Sequence, residues 1–410
     1  MNLQQDLFKP LMAAYSRGEP LRNDQLYKSL SIDKVIPEGA LLERVPTGKD
    51  RALHNPVTRK IRWAQHSLRA LGLLEKVPGE RGVWRSTAKA RGELTPAPRR
   101  TVLLGFSTKL GLALWGDCAD VFKGFNEPIH CCLTSPPYCI DRPRAYGGIA
   151  ESLYVDFICR AMEPIVKNLV AGGTIALNIT QDVFLKGLPA RSLTPERVVI
   201  ALHEKLGLYK VDSLVWSNAS KAPGPIAWAS KERVLLNTGY EPIYIFSNDP
   251  SRMFASNQRV LQPHTERHLK LIAKGGENRT GVYGDGANKI YPGSFGAPTE
   301  GRIPRNVLQF GGRCHSQTEV RRFAKEQGLP VHGATFPLAL AKFLIEYLTR
   351  PGDTMVDNFA GWFTGPLAAE LTGRRWLASE RMLQYVEGAR RRFMGFAGYS
   401  DAHLLPEWES

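Results

Sequence analysis

The residues best suited to chemistry lie in a four-residue segment, Ser135-Pro136-Pro137-Tyr138, which follows the apolar run 129–133 and Thr134. Such a run predicts a strand that is buried on both faces of a parallel sheet. The two prolines fix φ and stop the strand, so a stiff corner is predicted at its carboxyl end. This corner can aim a hydroxyl and backbone carbonyls at a planar amine while the tyrosine ring stacks, as an extruded nucleobase requires. By itself the segment is also typical of an ordinary strand-ending turn.

A second segment, residues 355–370, has the order strand, glycine turn, helix. This order brings the backbone close to a nucleoside ligand in doubly wound folds. Glu380 ends another predicted strand, about twenty residues further on, where an acidic side chain binds ribose hydroxyls in such folds. The segment is therefore a candidate cofactor loop.

Alternating strands and helices must position both segments. Strands are predicted at 112–117, 129–133, 174–179, 209–216, 240–246 and 355–357, and helices at 154–169, 193–206 and 338–347. This alternation predicts an α/β fold, in which ligands bind at the carboxyl ends of parallel strands.

These motifs together resemble those of the DNA amino-methyltransferases, which methylate the exocyclic nitrogen of cytosine or adenine with S-adenosylmethionine. The family's catalytic motif is Ser, Asp or Asn, then Pro-Pro and an aromatic residue, and Ser135 preceded by Thr134 resembles the N4-cytosine branch. The segment from Asp357 to Gly365 resembles the family's cofactor loop, and residues 332–337 resemble its Phe-Pro element. Because the catalytic half comes first, the order resembles the β class, over roughly residues 112–393.

The resemblance implies a Rossmann-like methyltransferase sheet and S-adenosyl-L-methionine as the cofactor. It implies a catalytic role for Ser135, Pro136, Pro137 and Tyr138, without a covalent intermediate. It implies cofactor binding by Asp117, Phe336, Pro337, Asp357, Phe359, Ala360, Gly361, Thr364 and Glu380. In this class a loop after the strand at 209–216 faces the target base, which indicates Trp216 and Asn218. No metal is predicted, because none of the six cysteines lies in a C-x-x-C pair.

The charge distribution indicates a polyanionic partner. The net charge is +15, and residues 1–100 and 252–313 hold an excess of nine and six positive charges, which accounts for all of it. Such an excess is typical of nucleic-acid binding, although ribosomal or membrane-surface proteins share its sign.

The first basic region predicts a DNA-binding domain. Asn55 and Pro56 can begin a helix that carries Arg59 and Arg62, and two short strands around a Pro-Gly turn follow it. Helices followed by a β-wing are the order of a winged helix, and this tract resembles the N-terminal domain of Mrr-type restriction proteins. The alternative is a solvated basic helix on a small helical cap.

The second basic region, residues 252–313, lacks periodicity and alternates basic with aromatic residues. We interpret it as a structureless insertion that serves as the target-recognition region, with Arg267 and Arg279 as DNA contacts. A disordered surface loop is the alternative.

The predicted domains are a winged helix (1–95), a linker (96–111) and a methyltransferase domain (112–410), with a catalytic half (112–250), a target-recognition region (251–313) and a cofactor half (330–393). The predicted function is site-specific N4-cytosine methylation of double-stranded DNA by base flipping, in the cytoplasm. N6-adenine methylation remains open, as does a DNA-binding regulator with an inactive fold, suggested by bulky Trp362 and Phe363 in the cofactor loop. The sequence shows no membrane-spanning run, and leaves open a homodimer and a cognate restriction endonuclease.

Overall fold

The computed structural model describes residues 7–15, 20–33, 35–37, 39–47, 52–70, 72–87, 94–139, 147–218, 221–312, 314–327, 329–333 and 335–401. Within these residues, none of the helices is long and apolar enough to cross a membrane.

The N-terminal unit combines helices with a small antiparallel sheet. Its elements are α1 (Phe8–Tyr15), β1 (Leu21–Arg22), α2 (Asn23–Ile32), β2 (Val45–Thr47), β3 (Ala52–His54), α3 (Pro56–Ala70), β4 (Leu74–Lys76) and β5 (Val83–Ser86). The basic helix α3 begins where it was predicted, because Asn55 Oδ1 accepts a hydrogen bond from the Thr58 N–H at 2.7 Å. Ile61 and Leu68 are fully buried, while Arg59 and Arg62 are exposed. Strands β1, β5 and β4 pair in that order.

The rest of the described chain is built around one large mixed sheet. Its strands and α-helices are β6 (Val102–Ser107), β7 (Gly111–Gly116), α4 (Cys118–Phe122), β8 (Ile129–Thr134), α5 (Glu151–Lys167), β9 (Leu169–Asn178), α6 (Thr194–Leu206), β10 (Tyr209–Ser217), β11 (Tyr240–Ser247), α7 (Glu266–Ala273), β12 (Gly281–Tyr283), β13 (Asn288–Ile290), β14 (Val307–Gln309), α8 (His315–Glu326), α9 (Leu338–Leu348), β15 (Thr354–Asp357), α10 (Thr364–Leu371), β16 (Arg375–Glu380), α11 (Leu383–Arg390) and β17 (Ser400–Asp401).

The strand order of this sheet is β14-β10-β11-β9-β8-β15-β16-β7-β6-β17. The central strands β9, β8, β15, β16 and β7 are parallel. From β8 the chain continues to β9 on one side, and from β15 it continues to β16 on the other. The strand order therefore reverses between β8 and β15, and such a switch point is where open α/β sheets bind ligands. The α/β prediction is confirmed.

The apolar runs of the two central strands are explained by burial on both faces. Cys131, Cys132, Met355 and Val356 are all fully buried, and they pair across β8 and β15. A strand of this kind carries apolar residues without alternation.

The predicted linker at 96–111 is wrong in its second half. Residues 102–107 form β6, which pairs antiparallel with β7 and extends the sheet. Phe106 is fully buried, with its ring 5.4 Å from that of Phe363 and 4.9 Å from that of Phe393. The sequence of this segment lacks the alternating pattern of a strand, because a register shift between Leu104 and Phe106 interrupts the alternation of its side chains between the two faces of the sheet.

The prediction of a structureless insertion at residues 252–313 is also wrong. This region contains α7, the β12–β13 hairpin and β14, and β14 pairs parallel with β10 at the edge of the sheet. Thr265 caps α7 by accepting the His268 N–H. Each strand is three residues long, too short to give a periodic pattern.

Candidate active site

A cavity of about 570 Å³ opens at the switch point between β8 and β15. The Ser135–Tyr138 corner lines one side, and the turn from Asp357 to Trp362 lines the other. The two segments are joined directly, because Thr134 Oγ1 donates to Asp357 Oδ1 at 2.9 Å. Segments more than two hundred residues apart in the chain therefore share one cavity, whose size is in the range of small-molecule sites.

The catalytic corner is organised by the side chain of Asn178, at the end of the neighbouring strand β9. Asn178 Oδ1 accepts from Tyr138 OH at 2.8 Å and from Ser135 Oγ at 3.2 Å. Its Nδ2 donates to the Pro242 carbonyl at 2.9 Å, which fixes the orientation of the amide. Ser135 Oγ also lies 3.3 Å from Tyr138 OH. When Ser135 donates its proton to Asn178, Oγ keeps lone-pair capacity to accept a hydrogen bond in the cavity.

An ionic cluster forms the rim of the cavity next to this corner. Glu241 Oε2 lies 3.2 Å from Tyr138 OH, and Glu241 Oε1 lies 3.2 Å from Lys221 Nζ. Lys221 Nζ also lies 3.4 Å from Asp182 Oδ2. The lysine thus has two carboxylate partners.

The opposite wall is formed by the glycine turn and by Glu380. The Gly361 N–H donates to Glu380 Oε2, and the Met382 N–H donates to Glu380 Oε1, both at 2.7 Å. Burial raises the pKa of Glu380 to about 7. Gly361 has φ of 53°, and a Cβ there would lie 2.9 Å from His332 Nε2, so the turn requires glycine. The Glu380 carboxylate thus accepts from the backbone on both oxygens, and it retains lone-pair capacity for a ligand in the cavity.

Most of the residues predicted to bind the cofactor line this cavity. They are Asp117, Phe336, Asp357, Phe359, Ala360, Gly361, Thr364 and Glu380. Asp117 also caps α4, since its Oδ1 accepts from the Ala119 N–H at 3.0 Å. Pro337 is not among the lining residues, because it is buried as the N-cap of α9.

Trp362 and Phe363 leave the cavity open. Phe363 adopts a left-handed conformation with φ of 55°, and its fully buried ring packs on Phe106 in the core of the sheet. Trp362 is 1% exposed, and its ring centroid lies 6.1 Å from that of His332 in the cavity wall. Trp362 therefore forms part of the cavity wall, Phe363 lies in the core, and neither ring fills the space.

The predicted DNA contacts fall into two groups. Trp216 and Asn218 line the cavity, where Trp216 Nε1 donates to the Phe310 carbonyl at 2.9 Å and Asn218 Oδ1 accepts from the Gly312 N–H at 3.0 Å. The predicted arginine contacts lie outside the cavity and are exposed on the two basic regions. They are Arg59, Arg62, Arg267 and Arg279. Among the described residues, no group of three or more metal-ligating side chains could hold a metal ion.

Comparison with known proteins identifies the family. A family model described as DNA methylase matches residues 129–391. The chain belongs to this family. It is 30% identical over 290 residues to the Type II methyltransferase M.PvuII of Proteus hauseri, which covers 70% of this chain and 85% of the relative. It is 23% identical over 306 residues to the DNA adenine methyltransferase YhdJ of Escherichia coli K12, covering 73% and 88%.

The fold of this DNA methylase is similar to that of a solved family member. The structure described as PvuII DNA methyltransferase (cytosine-N4-specific) matches with a TM-score of 0.56 and 27% identity, over 71% of this chain and 89% of that one. The family uses S-adenosyl-L-methionine as methyl donor, which confirms the predicted cofactor. The cavity fits it, because a buried acceptor, Glu380, lies beside a glycine turn that admits a close ligand.

Asn178 and the rim cluster of Lys221, Glu241 and Asp182 belong to the site of this DNA methylase but were not predicted from its sequence. A signal exists for two of them. Asn178 is a buried polar residue at the carboxyl end of a buried strand, and Glu241 lies near the start of the antiparallel neighbour β11. Polar residues at these positions face the site in an open α/β sheet.

Asp357→Asn in this DNA methylase is expected to remove a pH dependence of stability. Burial raises the pKa of Asp357 to about 7, although the hydrogen bonds from Thr134 and from the Phe359 N–H act to lower this pKa. Between about pH 4 and 7 this carboxyl group therefore binds more proton in the folded than in the unfolded chain, and its contribution to stability falls by about 1.4 kcal/mol per pH unit as the pH rises. Asparagine keeps an acceptor for Thr134 but does not ionise.

Urea unfolding at pH 5 and pH 8 checks this expectation. The free energy of unfolding should fall less between these pH values for Asp357→Asn than for the unchanged chain. Equal falls would show that Asp357 does not titrate in this range in the folded protein.

Proposed function

We propose that this DNA methyltransferase transfers a methyl group from S-adenosyl-L-methionine to N4 of cytosine in double-stranded DNA, at a specific sequence and with the base flipped out. The observation that carries the proposal is the shared cavity, which has amine acceptors at Ser135 on one side and the Gly361 turn on the other. Such a cavity can hold an extruded base and a nucleoside cofactor together.

The residues of the corner supply electrostatic stabilisation. The bound cofactor supplies an activated methyl group, and the target amine is a weak nucleophile because its lone pair is conjugated with the ring. As this nitrogen becomes tetrahedral, Ser135 Oγ and the Pro136 carbonyl accept its hydrogens and stabilise the growing positive charge. Acceptors of this kind contribute about 3 kcal/mol each when preorganised. Tyr138 stacks on the base, and Asn178 orients both hydroxyl groups.

Two observations support cytosine as the target base. Serine occupies the first position of the motif, and the structural relative with a TM-score of 0.56 is described as cytosine-N4-specific. The alternative is adenine N6, which is supported by the similarity to the adenine methyltransferase YhdJ. Both bases present an exocyclic amine to the same acceptors.

Incubation of the full-length chain with methyl-labelled S-adenosyl-L-methionine and plasmid DNA tests the activity. The label is expected in the DNA. A chain that binds the cofactor in calorimetry but labels none of several unrelated plasmids would instead favour a DNA-binding regulator with an inactive fold.

The N-terminal unit is proposed to be a winged helix that binds DNA. Helix α3 exposes Arg59 and Arg62, and the β4–β5 hairpin follows it as the wing. The region 251–313 is proposed to recognise the target sequence, because α7 and the β12–β13 hairpin expose Arg267 and Arg279. With DNA as its substrate, the enzyme is proposed to act in the cytoplasm.

Replacement of Arg59 and Arg62 together by alanine is expected to weaken DNA binding and to reduce its salt dependence. If each arginine neutralises one phosphate, the slope of log affinity against log salt falls by about 1.8. The double variant Arg160→Ala, Arg375→Ala removes the same charge from two exposed positions outside both basic regions and should keep the slope. Fluorescence anisotropy with a labelled duplex at several salt concentrations measures the affinity and the slope for both double variants. Equal slopes for the first variant and the unchanged chain would show that α3 does not contact phosphate.

A further inference from the structure

A loop at the rim of the cavity has its ends held next to the site. This rim loop, residues 221–239, is the part of the connection between β10 and β11 that leads without a gap into β11. One carboxylate holds both ends, since Asp182 Oδ1 accepts from Thr238 Oγ1 at 2.8 Å and Asp182 Oδ2 lies 3.4 Å from Lys221 Nζ. Arg191 adds a third contact to Asp182 at 2.7 Å.

The backbone of the rim loop is internally hydrogen-bonded. The Ala229 N–H donates to the Pro225 carbonyl at 2.8 Å, and the Val234 N–H donates to the Trp228 carbonyl at 2.9 Å. The Thr238 N–H closes the base of the loop on the Gly224 carbonyl at 2.7 Å. The tip is therefore preformed, although no residue of its helical turn Ile226–Lys231 is buried.

The tip presents apolar side chains to solvent. Leu236 is 89% exposed, the largest value among the exposed large hydrophobic residues of the described chain, and Ile226 and Val234 are 63% and 59% exposed. Lys231 and Arg233 lie among them, and neither forms an ion pair with a described residue. An ordered apolar tip edged by unpaired cations is typical of a surface that contacts a partner.

We infer that the rim loop is a wedge that enters the DNA duplex, with Leu236 taking the space that the target base leaves when it moves into the cavity. The inference rests on the proposed function. Lys231 and Arg233 fit the phosphates on either side of such a gap, and apolar side chains inserted between base steps are a known means of opening a duplex. Lys221, at one end of the loop, lines the cavity and shares Glu241 with Tyr138, which favours DNA over a protein partner.

If the rim loop acts as a wedge, its effect on base-pair opening can be measured separately from any effect on methyl transfer. Opening a base pair costs unstacking free energy, and this cost is smallest where pairing is already lost. A side chain that fills the gap should therefore increase the rate of methyl transfer on a paired target. It should have little effect on this rate where the opposite nucleotide lacks its base.

The test uses the full-length chain, labelled S-adenosyl-L-methionine and two duplexes with the sequence found by mapping methylated DNA. In one duplex the target base is paired, and in the other an abasic site lies opposite it. Leu236→Ala is expected to lower the single-turnover rate roughly ten- to hundredfold on the paired duplex and less than about threefold on the abasic one. Leu236→Met should restore most of the rate. Leu371→Ala, a control at the exposed end of α10 outside the cavity, should change neither rate.

Equal losses on both duplexes would overturn the wedge, because Leu236 would then act on the structure of the site. Unchanged rates on both would also overturn it and would leave a protein as the partner of the apolar tip. Absence of transfer by the unchanged chain on either duplex would overturn the proposed function, and the wedge with it.

Discussion

Ser135→Ala is expected to slow methyl transfer roughly 10²- to 10³-fold while the affinities for DNA and S-adenosyl-L-methionine change less than about threefold. The hydroxyl is directed by Asn178 at 3.2 Å so that its lone pairs face the cavity. Its acceptor role matters only when the target amine gains positive charge, so the loss should be in the rate of the chemical step and not in binding.

Single-turnover transfer with labelled cofactor, together with calorimetry for each ligand, separates these effects. Ser251→Ala is a matched control, because this serine is exposed in a short helical turn outside the cavity. A full rate for Ser135→Ala would remove Ser135 from the mechanism. A parallel loss of rate and of cofactor affinity would indicate that the variant disturbs the fold of the site.

Gly361→Ala is expected to weaken S-adenosyl-L-methionine binding roughly ten- to hundredfold. Its Cβ would lie 2.9 Å from His332 Nε2, so the histidine and the turn cannot both keep their places in the cavity wall. The displaced turn would also strain the hydrogen bond from the Gly361 N–H to Glu380.

Gly373→Ala provides the control for backbone strain. Gly373 also has positive φ, 72°, but a Cβ there would meet nothing within 4 Å. Both variants should lose about 1–2 kcal/mol of stability from the left-handed conformation, and only Gly361→Ala should lose cofactor affinity. Calorimetry and urea unfolding measure the two quantities. Equal cofactor affinities for both variants would show that the turn after β15 does not form the cofactor site.

The central strands and both functional turns were predictable because their signals are local. The apolar run before Ser135 and the proline pair behind it specify a buried strand and its end, and the glycine at 361 marks a tight turn in the same way. Their meeting in one cavity depends on β8 and β15 being neighbours, which the sequence supports only through the known rule for α/β sheets.

Other parts of the structure depend on contacts that no local signal specifies. Asn178 stands at the carboxyl end of a buried strand, which marks it as a candidate, but its contact with Ser135 exists only because β9 pairs with β8. Strand β6 follows a segment with two prolines, Pro96 and Pro98, and is interrupted by a register shift, so only its pairing with β7 defines it as a strand. The exposure of Leu236 depends on hydrogen bonds within the rim loop, which have no sequence pattern.

Mass spectrometry of nucleosides from DNA methylated by the purified full-length chain is the most direct test of cytosine N4 methylation in the cavity between β8 and β15. The expected product is N4-methylcytosine, formed roughly 10²- to 10³-fold more slowly by the Ser135→Ala chain. N6-methyladenine as the product would contradict the assignment of the base, and no methylated nucleoside in spite of cofactor binding would contradict the proposed reaction.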